Sequence, residues 1–312
     1  MRATTLALIA AFALSATAAG AAERVTYKSA KAGSSYYQMA VQLAEAMPET
    51  ISMTVEESQG SVQNVMEVLA RGGDYVFTTP PALVRLAGAG KAMFEERANP
   101  KFADIRALFP IPSLTMHFVV REDAGVETLE DLAGKTVLLG KGSFGAREGA
   151  KYLDMFGLTD SVDVADAELS NAVGALKNGQ IDAFVTAGSF PAPNVIEAAA
   201  GTGVTVVSLT EDQVAATKRT RLEIPAGTYP GQDAPIVTTS LPVVAYTTTA
   251  MSDDTAYALT KAYWEQKDAL GQTAKWWDGV DPSFLANIDG KIHPGALAYY
   301  DEIGVDVPDT AR

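Results

Sequence analysis

The chain has 312 residues, no cysteine, and 38 acidic against 24 basic side chains, a formal net charge of −14. That balance disfavours nucleic acid and anionic membranes as partners, and the missing thiols exclude disulfides, a lipoprotein anchor and cysteine chemistry. A hydrophobic share of 47% is enough for one large or two medium α/β cores.

The first residues read as an export leader, with Arg2 as its basic start, an apolar stretch over residues 6–14 and small residues ending Ala19-Gly20-Ala21. The expectation is a signal peptide over residues 1–21, cleaved near Ala21/Ala22, and a periplasmic mature protein. No later stretch reaches the ~18 uninterrupted apolar residues of a membrane span. Residues 25–28 predict a strand, and Met39, Leu43 and Met47 at four-residue spacing give the following helix one apolar face. Residues 51–55 alternate as a strand. Val62, Val65, Met66 and Leu69 then trace a helical stripe, with Ser61 as its expected N-cap. Tyr75-Val76-Phe77 forms the next strand, and Thr78-Thr79-Pro80-Pro81 predicts a break before a helix over residues 82–87. Residues 105–109 and 115–121 are two apolar runs of strand length, the second expected to cross into another lobe near Met116. A long β-rich stretch over residues 235–246 can bring the chain back. Helices follow at residues 255–270, capped by Ser252 or Asp253, and at residues 294–300.

One phrase occurs twice. A strand, a Gly/Ser loop and a helix occupy residues 25–47 around Gly33-Ser34-Ser35-Tyr36, and again residues 136–156 around Gly142-Ser143-Phe144-Gly145. Downstream, Asn64, Leu69, Gly72, Asp74 and Phe77 are echoed by Asn171, Leu176, Gly179, Asp182 and Phe184. An α/β unit used twice places two helix N-termini across a cleft, where unpaired N–H groups and the helix dipole favour an anion. The expected fold is therefore α/β and two-lobed, a type II-like periplasmic-binding-protein fold with hinge strands and a ligand cleft between the lobes. Residues 22–115 with 242–312 form lobe I, and residues 116–241 form lobe II.

Catalysis has little to stand on in this sequence. His117 and His293 are the two histidines, neither lies in a triad spacing, and there is no Gly-x-Ser-x-Gly elbow or Walker loop. A structural role is expected for both. No calcium-loop spacing occurs, so neither a metal nor a cofactor is expected. Binding is better supplied. In an open α/β sheet the loops at the carboxyl ends of strands hold the ligand. They offer Gly33, Ser34, Ser35 and Tyr36, then Gln59, Gly60, Ser61 and Asn64, then Thr78 and Thr79 from the first unit. The second unit adds Ser143, Phe144, Gly145, Ala146 and Arg147, with Thr186, Gly188 and Ser189. Arg147, beside a helix start, is the expected grip on a carboxylate, because a guanidinium can form two parallel hydrogen bonds to it.

These residues together resemble the TAXI family, the substrate-binding proteins of a branch of the tripartite ATP-independent periplasmic (TRAP) transporters. The resemblance rests on Gly33-Ser34-Ser35-Tyr36-Tyr37, Gln59-Gly60-Ser61-Val62-Gln63-Asn64, His117-Phe118-Val119-Val120-Arg121, Asp131-Leu132-Ala133-Gly134-Lys135, Gly179-Gln180-Ile181-Asp182-Ala183-Phe184, Ile224-Pro225-Ala226-Gly227-Thr228-Tyr229 and His293-Pro294-Gly295-Ala296. It implies a receptor that closes over a small organic anion, such as glutamate, 2-oxoglutarate or another carboxylate, and delivers it to a TRAP membrane permease. The receptor of an ATP-driven (ABC) importer and the ligand-binding subunit of a sensory system are the alternatives. The chain departs from the family at one loop: where the family has Gly-Ser-Gly-Thr, it carries Ser143-Phe144-Gly145-Ala146. A phenyl ring and a methyl in place of a hydroxyl predict a less polar cleft.

Overall fold

The computed structural model describes residues 22–141 and 143–312; the predicted leader and Gly142 lie outside the described residues. The first unit runs β1 (Glu23–Lys28), α1 (Ser35–Ala46), β2 (Ile51–Glu56), α2 (Ser61–Glu67) and β3 (Tyr75–Thr79). Its strands are parallel, in the order β2-β1-β3. After α3 (Pro81–Gly88) and β4 (Ile105–Arg121), the second unit runs β5 (Thr136–Leu138), α4 (Phe144–Met155), β6 (Asp163–Ala165), α5 (Ala172–Lys177) and β7 (Ala183–Gly188). Its strands are also parallel, in the matching order β6-β5-β7. The doubled phrase in the sequence is thus a doubled βαβαβ unit, with α1 and α4 each twelve residues long and each capped by a serine.

The predicted break at Thr78-Thr79 is not one: both residues end β3, and the chain turns at Pro80 so that Pro81 opens α3. Proline fits a first helical turn because its missing N–H would have no partner there. Residues 105–121, read as two strands, form the single seventeen-residue strand β4. Pro110 and Pro112 lie between those two runs, and Pro112 falls within a register shift. Leu241 of β10 (Ile236–Thr248) opposes Leu114, yet Val243 opposes Ile111. Proline lacks a ladder donor and is tolerated where the pairing is irregular.

Strands β4 and β10 run antiparallel through the middle of the sheet. β10 joins β3 on the first unit's side, and β4 changes partner at Thr115, pairing with β7 from there to Val120. Between β7 and β10 lie α6 (Pro193–Thr202), β8 (Val204–Val206), α7 (Glu211–Thr217) and β9 (Thr220–Ile224). β9 pairs with the start of β10, and β8 with the end of β4. After β10 come α8 (Asp253–Thr273), β11 (Lys291–Ile292) and α9 (Pro294–Glu302); α8 packs on both α9 and α1. Ser252 caps α8, its Oγ accepting from Thr255 N at 3.1 Å.

Alternation along the strands of the second unit gives it two apolar faces. Phe118, Val120, Val137, Ala183 and Val185 join one buried cluster, while Val119, Leu138 and Phe184 join another with Leu176 and Val195. A parallel sheet needs both faces covered, and helices supply the cover. Both histidines are structural in this arrangement. His293 caps α9, its Nδ1 accepting from Gly295 N at 3.2 Å. His117, fully buried on β4, has Nδ1 3.1 Å from Thr115 O and Nε2 2.7 Å from Tyr229 Oη. Tyr229 Oη also accepts from Ala192 N at 3.0 Å, so the chain of bonds runs Ala192 N–H, Tyr229 O–H, His117 with every group neutral.

Burial pushes the His117 imidazole down to about 4. Its contribution to stability is therefore complete above the unfolded value of about 6.5 and is lost as the pH falls through the window to about 4, by about 3 kcal/mol in all. Urea titrations across that window should show a shallower loss of stability for His117→Gln than for the wild-type protein; parallel curves would remove His117 from the titrating groups.

Candidate functional site

Where the two units meet, the loops after their strands enclose a cavity of about 80 Å³. The first unit contributes Ser34, Tyr36, Gln59, Gly60, Ser61 and Thr78, and the second Ser143, Phe144 and Gly145. A neighbouring hollow of about 210 Å³ takes in Gly33, Ser34, Ser35, Thr186 and Gly188. Of the predicted site residues, Asn64, Thr79, Ala146 and Arg147 line neither, and Ser189 faces a different groove. The lobes touch directly here, Ser35 Oγ accepting from Ser189 N at 3.1 Å. A β-carbon on Gly188 would stand 2.6 Å from that hydroxyl oxygen, so a larger residue there would turn the Ser35 hydroxyl away from Ser189.

The serine hydroxyls of the two long helices cap them. Ser34 Oγ accepts from Tyr37 N at 3.3 Å and donates to Lys31 O at 2.7 Å, while Ser143 Oγ accepts from Ala146 N at 2.9 Å. Capping satisfies one N–H in each first turn, and the others there have no partner within the helix. The sequence-based N-cap of α2 is displaced by one residue. Gly60 takes that position at φ +123°, a conformation that glycine tolerates, and Ser61 begins the helix with its side chain on the cavity.

Beneath these loops the polar side chains serve as struts. Asn64 is fully buried, its Nδ2 donating to Ser29 O at 2.7 Å and Thr78 O at 2.8 Å, which ties the ends of β1 and β3 together. Thr78 Oγ1 donates to Tyr27 Oη at 2.9 Å, and Thr186 Oγ1 accepts from Asn194 Nδ2 at 3.1 Å. Tyr36 Oη donates to Pro112 O at 3.0 Å, and burial drives its phenol far above the usual range, keeping it neutral. On the second unit, buried Glu148 accepts from Lys151 at 2.7 Å and from Arg219 at 2.8 Å, anchoring α4 from behind. Arg147, one residue earlier, is half-buried and lies outside the lining of the cavity.

The charges that do reach the cavity were not singled out in the sequence. Lys31 and Lys141 line it, with no carboxylate among the described lining residues. Lys31, just before Ser34, pairs with Glu168 of the second unit at 2.7 Å; Lys141, just before Ser143, pairs with Asp166 at 2.9 Å. Each lysine precedes its Gly/Ser loop, Lys31 by three residues from Ser34 and Lys141 by two from Ser143. A third lysine, Lys28, is held beneath the loops by Glu67 at 2.9 Å and Glu56 at 3.4 Å. Arg71 also pairs with Glu56, and its guanidinium holds the Glu56 carboxyl below the usual carboxylate range.

The β4–β10 ribbon has a second face. Leu114 and Val243 face the cavity, whereas Ser113, Thr115, Ser240 and Pro242 face a groove of about 820 Å³ on the other side. That groove runs between Trp276 and Phe284 of one lobe and Leu222 and Pro225 of the other.

Two βαβαβ units joined by a shared antiparallel ribbon, with facing helix starts over an interlobe cavity, define the two-lobed fold of periplasmic solute-binding proteins. The chain belongs to the NMT1-like family, which matches residues 28–304. It is similar in fold to MatC from Rhodopseudomonas palustris with bound malate, at a TM-score of 0.58 and 15% identity over 90% of this chain and 97% of that one. The periplasmic binding protein BugD aligns at a TM-score of 0.55 and 11% identity, covering 92% of this chain and 99% of its own. Among the described residues, no helix is long and apolar enough to cross a membrane, and no group of three or more His, Asp or Glu is placed to hold a metal ion.

Removing the Asn64 amide takes a buried donor from the carbonyls of both Ser29 and Thr78 and leaves Ser29 O with the Ser58 hydroxyl at 3.0 Å. Asn64→Ala should therefore lower stability by about 2 kcal/mol in urea unfolding, while Ser61→Ala, which deletes a cavity-facing hydroxyl, should change it by less than about 0.5 kcal/mol. Equal losses for the two variants would contradict the strut assignment.

Proposed function

We propose that this protein is a periplasmic solute receptor that closes over a small organic anion, a carboxylate, and delivers it to a membrane permease of the TRAP type. The observation that carries the reading is local: on a chain of net charge −14, the interlobe cavity has two lysines and two helix starts and no acid among its described lining residues. Salt screens the global charge within about 8–10 Å, so the groups at the cavity decide what enters. The TRAP assignment follows from the TAXI-like motifs, and malate, the ligand of the structurally similar MatC, joins glutamate and 2-oxoglutarate as probes. Lobe limits at residues 115/116 and 241/242 place the hinge where β4 changes partner and where the β4–β10 register shifts. A pull-down that recovers a multi-helix permease rather than an ATPase-bearing complex is the expected result for TRAP delivery.

A micromolar Kd needs about 8 kcal/mol, and charge-assisted hydrogen bonds contribute roughly 1.5–3 kcal/mol each. One lysine, two or three helix-terminal N–H groups and burial against Phe144 reach that figure.

A cavity lined from both lobes admits a solute only when the lobes part, so binding is a hinge motion. Small-angle scattering should give a smaller radius of gyration with saturating ligand, and an unchanged profile would refute closure.

Phe144 lines the cavity and also packs on the main core. Losing one hydroxyl contact removes roughly 0.5–1.5 kcal/mol, while apolar ligand surface buried on the ring returns about 25 cal/mol per Å². In a thermal-shift panel, monocarboxylates with an apolar tail should stabilise the protein more than malate, glutamate or 2-oxoglutarate, and Phe144→Ser should narrow that gap. The opposite ranking, unmoved by the substitution, would overturn the role given to the ring.

A further inference from the structure

Three lysines stand near the loops where the lobes meet, and their surroundings separate them. Lys28 is the least exposed, its side chain 9% accessible and gripped by two carboxylates that Arg71 also holds; it cannot turn to a ligand without stranding Glu67 and Glu56. Lys141 is 63% exposed and paired with a still more exposed Asp166, so water and salt weaken whatever it contacts. Lys31 lies between these extremes at 27% exposure, and it alone of the three lines both the 80 Å³ cavity and the neighbouring 210 Å³ hollow. It comes from the first unit, yet its partner Glu168 comes from the second.

Resting on the carboxylate reading above, we propose that Lys31 is the specificity-determining cation of the site and that a bound solute's carboxylate takes it over from Glu168. The exchange replaces one carboxylate by another at the same ammonium. Glu168 is half in solvent, so it returns to water at little loss. The incoming carboxylate gains the helix-terminal N–H groups of the α1 turn, whose first residue lies four positions after Lys31 and to which Glu168 makes no hydrogen bond in the structure. A neutral solute makes no such exchange, because it would break the Lys31–Glu168 pair without replacing the charge. Glu168 thus screens solutes by charge, and the 2.7 Å pair is the contact a carboxylate must outcompete.

The test is calorimetry with phenylacetate, its uncharged amide phenylacetamide, and L-malate on the mature chain and the variants K31Q, K31R, E168Q and R147A. For the better-bound acid, K31Q should weaken binding by about tenfold or more and K31R should recover part of it, while R147A should stay within roughly twofold. E168Q should tighten the acid by about two- to tenfold by removing the competitor, and should also let phenylacetamide bind more tightly than it binds the wild type. Wild-type affinity in K31Q, or weaker acid binding in E168Q, would overturn the proposal; in the second case Glu168 is a clasp rather than a competitor. A tenfold loss in R147A with K31Q unchanged would move the role to Arg147. If the wild-type protein binds neither acid, the carboxylate reading itself falls and takes this assignment with it. That result is distinct from an unchanged K31Q beside a wild type that binds.

Discussion

The antiparallel pairing of β4 with β10 is the constraint on which the rest depends. Each strand hydrogen-bonds within the ribbon and also to one of the repeated units, so the ribbon belongs to both halves of the molecule. A two-stranded connection resists stretching and shear, because many ladder bonds would break together, yet it bends where the ladder is irregular. Pro112 and Pro242 sit within that irregularity, each withholding a donor. The fold therefore confines its freedom to a few residues, and loops more than a hundred positions apart in the chain keep their aim on one another.

Aim also depends on polar groups that never meet the cavity. Asn64 joins the ends of two strands through their carbonyls, and Glu148 fixes α4 through Lys151 and Arg219. Paired in this way, the buried Asn64 Nδ2 and the Glu148 carboxylate admit few alternative geometries. Among the cavity residues above them, Ser34, Gly60, Ser61, Ser143 and Gly145 are short, as suits a site whose precision comes from below.

Much of this architecture was legible in the sequence because it repeats. The matching spacing of Ser34 with Ser143 and of Asn64 with Asn171 anticipated two equivalent units, and the sheet orders β2-β1-β3 and β6-β5-β7 are that equivalence in space. The helices declared themselves through apolar spacing, and the serine caps of α1 and α4 through the loops before them. The continuity of β4 was hidden, since Pro110 and Pro112 lie between its two apolar runs and the register shift around Pro112 shows only with the partner strand in place. So was the division of labour in the loops: Asn64 and Ser61 look alike as polar residues near a turn, and only the depth of α2 sends one to the core and the other to the cavity. In the sequence Arg147 stands out by its guanidinium and its place beside a helix start, whereas Lys31 and Lys141 carry no such mark. Their place before the Gly/Ser loops becomes informative only once both loops are seen to open on one space.

The groove on the far face of the ribbon, ten times roomier than the cavity on the near face, has a mechanical meaning. The two hollows sit on opposite sides of one fulcrum, so rotation that narrows the first must widen the second. If the lobes part as proposed, the walls contributed by Trp276, Phe284 and Pro225 would act as the stops of a lever, meeting behind as the cavity opens in front. On the proposed hinge motion, the widest opening of the cavity would thus be set by residues on the opposite face of the ribbon.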